Sequence, residues 1–198
     1  MRPQRTITAI TLVATVALVG AVVGCTSATP TDTPGVDQLG QYLLRFKGAD
    51  VEVVAGYRNA AARLASEWLM LELAVSSPPA QMATIKRDQV WVRTPAGDKI
   101  MLATQEEFGK AYGGLRSFLR QAEIVRDPMD YFPPSREECG LDFFAAPGSQ
   151  VVFDQVSVND RRTCQGQLFF KVPGGVQPGR WVLGVDLPET TVRIPFKL

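Results

Sequence analysis

The stretch TVRIPFKL, residues 191–198, decides the fold class of this chain. Its apolar side chains occupy every second position, and threonine, arginine, proline and lysine occupy the positions between them. This period of two is that of a strand with one face buried and the other exposed. Because Pro195 has no N–H to donate to a neighbouring strand, we expect this strand at a sheet edge or at a bulge.

Shorter strand patterns, separated by turn residues, precede this stretch. In the C-terminal half, strands are predicted at residues 141–145, 151–158, 163–172 and 181–187, with Asn159-Asp160 as a turn. In the N-terminal half, strands are predicted at residues 50–57 and 66–75, followed by a hairpin of residues 85–93 and 99–103. Many short strands with turns between them predict a mainly β fold, an antiparallel β-sandwich over residues 39–198.

One amphipathic helix is predicted within this run of strands, at residues 105–122. Thr104 and Glu107 have the spacing of a capping box, in which each side chain binds the other residue's main-chain N–H. Phe108, Leu115 and other apolar residues follow on one stripe, which we expect to pack on the sheet. Residues 60–65 are rich in alanine and stay open between helix and strand.

The N-terminus has the order of a secretion signal. Arg2 and Arg5 precede an uncharged apolar run that ends in Val22-Val23-Gly24-Cys25. This tetrapeptide resembles the lipobox of bacterial lipoproteins. The resemblance implies that residues 1–24 are a signal peptide cleaved between Gly24 and Cys25. It also implies that Cys25 is acylated and anchors the protein to a membrane, facing away from the cytoplasm.

The alternative for this segment is an uncleaved transmembrane anchor, because residues 6–24 approach the roughly 20 apolar residues that span a bilayer. Both interpretations place the rest of the chain outside the cytoplasm, on the periplasmic or extracellular side. Residues 25–38 are rich in threonine and proline with little to bury, so we expect a flexible linker there.

The cysteines agree with export. With Cys25 assigned to lipid, Cys139 and Cys164 remain as an even number in an oxidising compartment, and we predict that they form a disulfide. The alternative is a pair of buried free thiols. A redox-active pair is disfavoured because the chain has no Cys-x-x-Cys spacing.

The order of strands over roughly residues 50–198, with a hairpin before the helix and a final strand at 192–198, supports a second resemblance. It is similar to the small immunoglobulin-like sandwich domains of secreted and lipid-anchored bacterial proteins, including the immunoprotective extracellular antigens of mycobacteria. That resemblance implies an immunoglobulin-like sandwich with the helix as an insertion, and an adhesive, accessory or ligand-binding role. It assigns no functional residue.

The composition excludes several kinds of chemistry. The chain has no histidine, which removes Ser-His-Asp triads, Cys-His dyads and every metal site that needs histidine. With 21 basic and 20 acidic residues, it offers neither the basic excess of nucleic-acid-binding proteins nor a reason for electrostatic membrane docking. No nucleotide-binding glycine motif occurs, so we expect no nucleotide cofactor. Because histidine is absent and Cys139 and Cys164 are assigned to a disulfide, we expect no metal.

Three functions remain open. We expect a non-catalytic binding or accessory module of the cell envelope, with Tyr131-Phe132-Pro133-Pro134 as the surface that binds a protein partner. The alternative for that loop is a plug over one end of the core. Asp160-Arg161-Arg162 is a second candidate surface, for anionic lipid or glycan, with a solvated turn as its alternative.

The second function is a small-ligand or glycan site in a cleft between helix and sheet. The third is a carboxylate-dependent hydrolase, which needs two acids facing each other across a groove. Its candidate acids are Glu106, Glu107, Asp127, Asp130, Glu137, Glu138 and Asp142. The sequence leaves the ligand, the partner and the oligomeric state undetermined.

Overall fold

The structure is a computed structural model that describes residues 29–125, 129, 139–149 and 151–198. The N-terminal strands are β1 (Thr29–Pro30), β2 (Val36–Gly40), β3 (Leu43–Lys47), β4 (Glu52–Gly56), β5 (Trp68–Ser76), β6 (Met82–Lys86), β7 (Val90–Arg93) and β8 (Lys99–Met101). The C-terminal strands are β9 (Cys139–Gly140), β10 (Gln155–Asn159), β11 (Cys164–Lys171), β12 (Arg180–Asp186) and β13 (Thr191–Lys197). The helices are α1 (Arg58–Ala61), α2 (Gln105–Ile124) and a single 3-10 turn, Arg87–Gln89.

These strands form three sheets. The largest has seven strands in the order β1-β2-β3-β4-β5-β11-β9, and a second has four in the order β13-β12-β7-β8. Strands β6 and β10 form a third, two-stranded sheet. Neighbouring strands are antiparallel, except that β9 runs parallel to β11. The predicted mainly β fold, a sandwich with one helix, is confirmed.

The main core lies between the seven-stranded and four-stranded sheets. Leu71 and Phe170 enter it from the larger sheet, and Trp181 and Ile194 enter it from the smaller one. All four side chains are almost fully buried. Strand β13 is an edge of the four-stranded sheet, which is where Pro195 is tolerated, as the sequence predicts.

Strand β5 is buried on both faces. Its inward side chains join the main core, while Trp68 and Met70 on its outer face pack with Phe108 and Phe118 of α2. The predicted strand at residues 66–75 is confirmed. The open question at residues 60–65 is answered by α1, which includes only Ala60 and Ala61 of that stretch.

Helix α2 forms a third layer on the outer face of the seven-stranded sheet. The Glu107 N–H donates to the Thr104 hydroxyl at 3.1 Å, and the Thr104 N–H donates to the Glu107 carboxylate at 2.9 Å. The predicted capping box and helix are therefore confirmed, and the helix runs to Ile124 rather than to residue 122. Apolar residues on one side of the helix pack on the sheet and polar residues on the other side face solvent, as expected for an amphipathic surface helix.

The predicted linker at residues 25–38 is wrong for its described part. Strands β1 and β2 occupy residues 29–30 and 36–40 and pair with each other. Val36 is only 2 % exposed and packs in the main core. A single buried valine between polar residues is too weak a pattern to predict a strand from sequence. Strand β2 forms because it pairs with the edge of β3.

Several strand pairings also differ from the prediction. The hairpin of β7 and β8 is present, but residues 85–93 do not form one strand, because the 3-10 turn separates β6 from β7. Strand β6 pairs instead with β10. The Asn159-Asp160 turn therefore carries the chain from one sheet to another, and β11 pairs with β5 rather than with β10.

Residues 141–145 were predicted as a strand and are not one. Gly166 of β11 explains the difference, since a Cβ there would lie 2.7 Å from the Leu141 Cβ. Because Gly166 has no Cβ, residues 141–145 can cross over β11. Phe143 then enters the main core and Phe144 contacts α2. Just before this crossing, Cys139 and Cys164 lie opposite each other and form the predicted disulfide.

Candidate functional site

A cavity of about 710 Å³ lies between α2 and the outer face of the seven-stranded sheet. Strands β5 and β11 form its floor, α2 forms one wall, and the crossing segment, residues 141–149, forms the other wall. The volume is within the range of small-molecule sites in proteins. The three secondary-structure layers thus leave a space where the helix and the crossing segment diverge above the sheet.

The floor of the cavity carries a carboxylate and two amides. Glu72 is on the central strand β5, is 7 % exposed, and lies opposite Gln167 of β11 in the strand register. Gln165 lies two residues before Gln167, on the same face of β11. On the other side, a Cβ at Gly56 would be 3.6 Å from the Glu72 Oε2, so this glycine leaves room beside the carboxylate. Polar groups of β5 and β11 therefore converge at the floor of the cavity.

Aromatic side chains cover one end of the cavity. The rings of Phe108 and Phe169 are buried, with centroids 4.7 Å apart. Phe144 lies 5.1 Å from both of them, and Tyr112 lies 5.8 Å from Phe108. Tyr112 and Phe144 are only half-buried. These two rings therefore offer aromatic surface to a molecule in the cavity.

Charged side chains of α2 lie at the mouth of the cavity. Arg116, Arg120 and Glu123 are exposed and line its outer part. The two arginines are four residues apart and so occupy the same face of the helix. Asp142 of the crossing segment is exposed on the opposite wall. A ligand would thus meet both signs of charge at the entrance before it reaches the floor.

Arg87 holds the walls together. Its guanidinium donates to the Ala103 carbonyl at 2.8 Å, just before α2, and also to the Phe143 carbonyl in the crossing segment. A third bond, at 3.0 Å, goes to the exposed Asp154. The group also stacks on Phe144, 5.0 Å from the ring centroid. With its side chain only 13 % exposed, Arg87 fixes the start of the helix relative to the opposite wall.

Among the candidate acids that the structure describes, none pairs with another across a groove. Glu106 is exposed and binds Lys110 at 2.6 Å, and this hydrogen bond lowers the pKa of Glu106 and raises that of Lys110. The Thr104 N–H lowers the pKa of Glu107, which serves the helix cap. Asp142 lines the cavity. Asp127, Asp130, Glu137 and Glu138 lie outside the described residues.

Other predicted sites also lie outside the described residues, namely Gly24, Cys25 and the loop from Tyr131 to Pro134. Arg162 is at the turn between β10 and β11, where it is exposed and forms a single bridge to Asn159. Sequence reasoning missed the floor residues Glu72, Gln165 and Gln167. The available signal was Glu72 itself, one carboxylate in the apolar stretch of β5.

No protein-family model, curated protein or solved structure matches this chain. Within the described ranges, three or more Asp, Glu or Cys side chains nowhere come together as a possible metal site. In the part of the chain that the structure describes, no helix is long and apolar enough to cross a bilayer.

Proposed function

We propose that this protein is a membrane-attached lipoprotein whose domain binds a small polar ligand in the cavity between α2 and the sheet, without catalysis. The observation that carries the proposal is the cavity floor, where Glu72, Gln165 and Gln167 project from two paired strands beside an aromatic wall. Glu72 is buried, Gln167 is half-buried and Gln165 is exposed. A few polar groups that converge in one cavity beside aromatic surface are typical of small-molecule sites, which supports a ligand site here.

The chemistry of the lining supports a glycan. Sugars combine apolar ring faces, which stack on aromatic side chains, with hydroxyl groups that donate to carboxylates and exchange hydrogen bonds with amides. Tyr112 and Phe144 supply the aromatic surface, and Glu72 and Gln167 supply the polar partners.

The location belongs to the same proposal. The signal-like N-terminus supports acylation at Cys25, and the Cys139–Cys164 disulfide is typical of proteins in an oxidising compartment. An immunoglobulin-like class also remains part of the proposal, supported by two packed sheets with a core between them. Metabolic labelling with an alkynyl fatty acid tests the anchor, since Cys25→Ala should lose the label and Cys139→Ala should keep it.

Saturation-transfer NMR tests the cavity. The full chain in polyoxyethylene detergent micelles would be mixed in turn with cellotriose, maltotriose and chitotriose. We expect saturation transfer to the ring protons of at least one trisaccharide. Tyr112→Ala and Gln167→Ala should each weaken that binding by roughly tenfold, the loss expected for one stacking contact or hydrogen bond. Gln121→Ala is the matched control, because it is exposed on α2 and does not line the cavity.

Two results would contradict the proposal. Absence of transfer to all three trisaccharides, from protein with a native circular dichroism spectrum, would exclude the glycan class. Equal binding by the cavity variants and by Gln121→Ala would place the ligand elsewhere. The same spectra would reveal reducing ends formed over time, and these would replace the non-catalytic assignment by a hydrolase.

A further inference from the structure

The outer face of the four-stranded sheet is strongly basic. Inward side chains of β7, β8, β12 and β13 fill the main core, so the alternate positions of these strands face away from it. Among those described positions, five are cations and one is an acid. The cations are Arg93, Lys99, Arg180, Arg193 and Lys197, all of them exposed, and the acid is Asp186.

The centre of this face is a tryptophan covered by cations. Trp91 points outward, yet it is only 1 % exposed. Lys99 lies 4.6 Å from its ring centroid, Arg193 lies 4.9 Å away and Arg93 lies 5.5 Å away. These contacts hold three long side chains over one aromatic ring, where their charges are attracted to the ring face. The cations are therefore concentrated in one place rather than spread over solvent.

The acid on this face neutralises only part of the charge. Asp186 accepts a hydrogen bond from the Trp91 indole N–H at 2.7 Å and one from Lys99 at 3.2 Å. It therefore offsets one cation and also anchors the tryptophan. Asp98 and Glu189 are in the turns at the ends of these strands, and Asp32 lies near Arg180 and Lys197. The middle of the face, around Arg93 and Arg193, keeps its positive charge.

We propose that this basic face docks on the anionic phospholipid headgroups of a bilayer. The cations are arranged on a sheet, which presents them together to a flat surface, and phosphate is the complementary charge. Each arginine or lysine close to an anionic bilayer strengthens binding by roughly fivefold. The excess of four cations over acids at these strand positions is therefore sufficient for an appreciable effect. Met101, 42 % exposed on β8, adds apolar contact at one edge. The nearly equal numbers of basic and acidic residues in the whole chain gave no sign of this surface, because the fold gathers several of the basic side chains on one face.

This inference does not depend on the glycan site, which lies on the other side of the larger sheet. Amine labelling followed by peptide mass spectrometry tests it on the full chain. The protein would be mixed with excess nanodiscs of phosphatidylcholine alone, or of phosphatidylcholine with about 30 % phosphatidylglycerol, whose charge attracts basic surfaces. Lys99 and Lys197 should react at least about threefold more slowly with the anionic discs, and Lys110 on α2 should react equally with both.

Two further measurements identify the cause of the protection. About 0.5 M NaCl should abolish it, because the Debye length falls to roughly 4 Å. Arg93→Gln with Arg193→Gln should abolish it as well, whereas Arg116→Gln with Arg120→Gln removes the same charge from α2 and should preserve it. Equal labelling of Lys99 on the two kinds of disc would overturn the proposal, as would equal loss of protection in the two double variants.

Discussion

Gln105, the first residue of α2, binds the main chain of Ala145 in both directions. Its Nε2 donates to the Ala145 carbonyl at 2.8 Å, and the Ala145 N–H donates to its Oε1 at 3.1 Å. One side-chain amide thus supplies both partners that a neighbouring strand would supply. These two hydrogen bonds connect the start of α2 to the crossing segment. Gln105 and Arg87 therefore both join the two walls of the cavity.

Gln105→Ala should destabilise the fold by about 1–3 kcal/mol, because it leaves two main-chain groups of the buried Ala145 without partners. Urea unfolding of the full chain measures the change. Gln121→Ala makes the same truncation at an exposed position of α2 and should unfold within about 0.5 kcal/mol of the wild type. Equal midpoints for the two variants would show that the Ala145 contact contributes nothing.

The disulfide should contribute about 3.5 kcal/mol, since it closes a loop with a sequence separation of 25 in the unfolded chain. Guanidinium unfolding of oxidised and reduced protein measures this difference. The double variant Cys139→Ala with Cys164→Ala should match the reduced protein and should not respond to reductant. A reductant-induced shift in the double variant would mean that another bond is responsible.

Gly184→Ala should destabilise the protein by at least about 2 kcal/mol through overpacking. The Trp91 ring lies across this glycine, and a Cβ would be 2.2 Å from two ring carbons. The same substitution in open space is the control: Gly113→Ala on α2 meets nothing within 4 Å and should stabilise the helix by about 0.5–1 kcal/mol. Thermal unfolding should therefore move in opposite directions for the two variants, and a shared direction would contradict the packing at Trp91.

Asp186 should make stability depend on pH in the acid range. Burial opposes its ionisation, but hydrogen bonds from Lys99 and Trp91 outweigh that effect, so the pKa of Asp186 lies below its ordinary value. A lowered pKa in the folded state stabilises the protein above the unfolded pKa, and this contribution is lost as the pH falls through the folded value. Asp186→Asn should therefore melt below the wild type at pH 7, and the gap should close below about pH 4.

Asp88→Asn is the control for that experiment, because it removes an exposed carboxylate from the 3-10 turn. Its melting temperature should follow the wild type at every pH. A gap between Asp186→Asn and the wild type that stays constant down to pH 2 would show that the charge of Asp186 is not the cause.

The sequence predicted those parts of the fold that local patterns determine. Three such patterns are confirmed: the period of two in residues 191–198, the capping box at Thr104 and the even number of cysteines. Each depends only on residues close in sequence or joined by a covalent bond. Strand partners are decided by packing over long separations. Nothing local shows that β10 pairs with β6, or that Gly166 makes room for Leu141.

The candidate cavity was the least accessible to prediction. A cleft between helix and sheet was one alternative, but its floor depends on Glu72 and Gln167 lying opposite each other, and their strands are joined through nearly 90 intervening residues. The basic outer face was missed for a related reason. Its cations come from four strands, and only the register places Arg93 and Arg193 over the same tryptophan.

Strand β5 affects how the chain behaves before it has folded. All nine of its residues are buried once folded, and Glu72 is the only charge among them. Before β4 and β11 have paired with its two edges, this stretch is a long apolar segment of the kind that self-associates between copies. Glu72 interrupts it at the middle, where the burial of a charge would penalise stacking of identical strands. We therefore expect Glu72, at the floor of the cavity, also to oppose aggregation of the chain before it has folded.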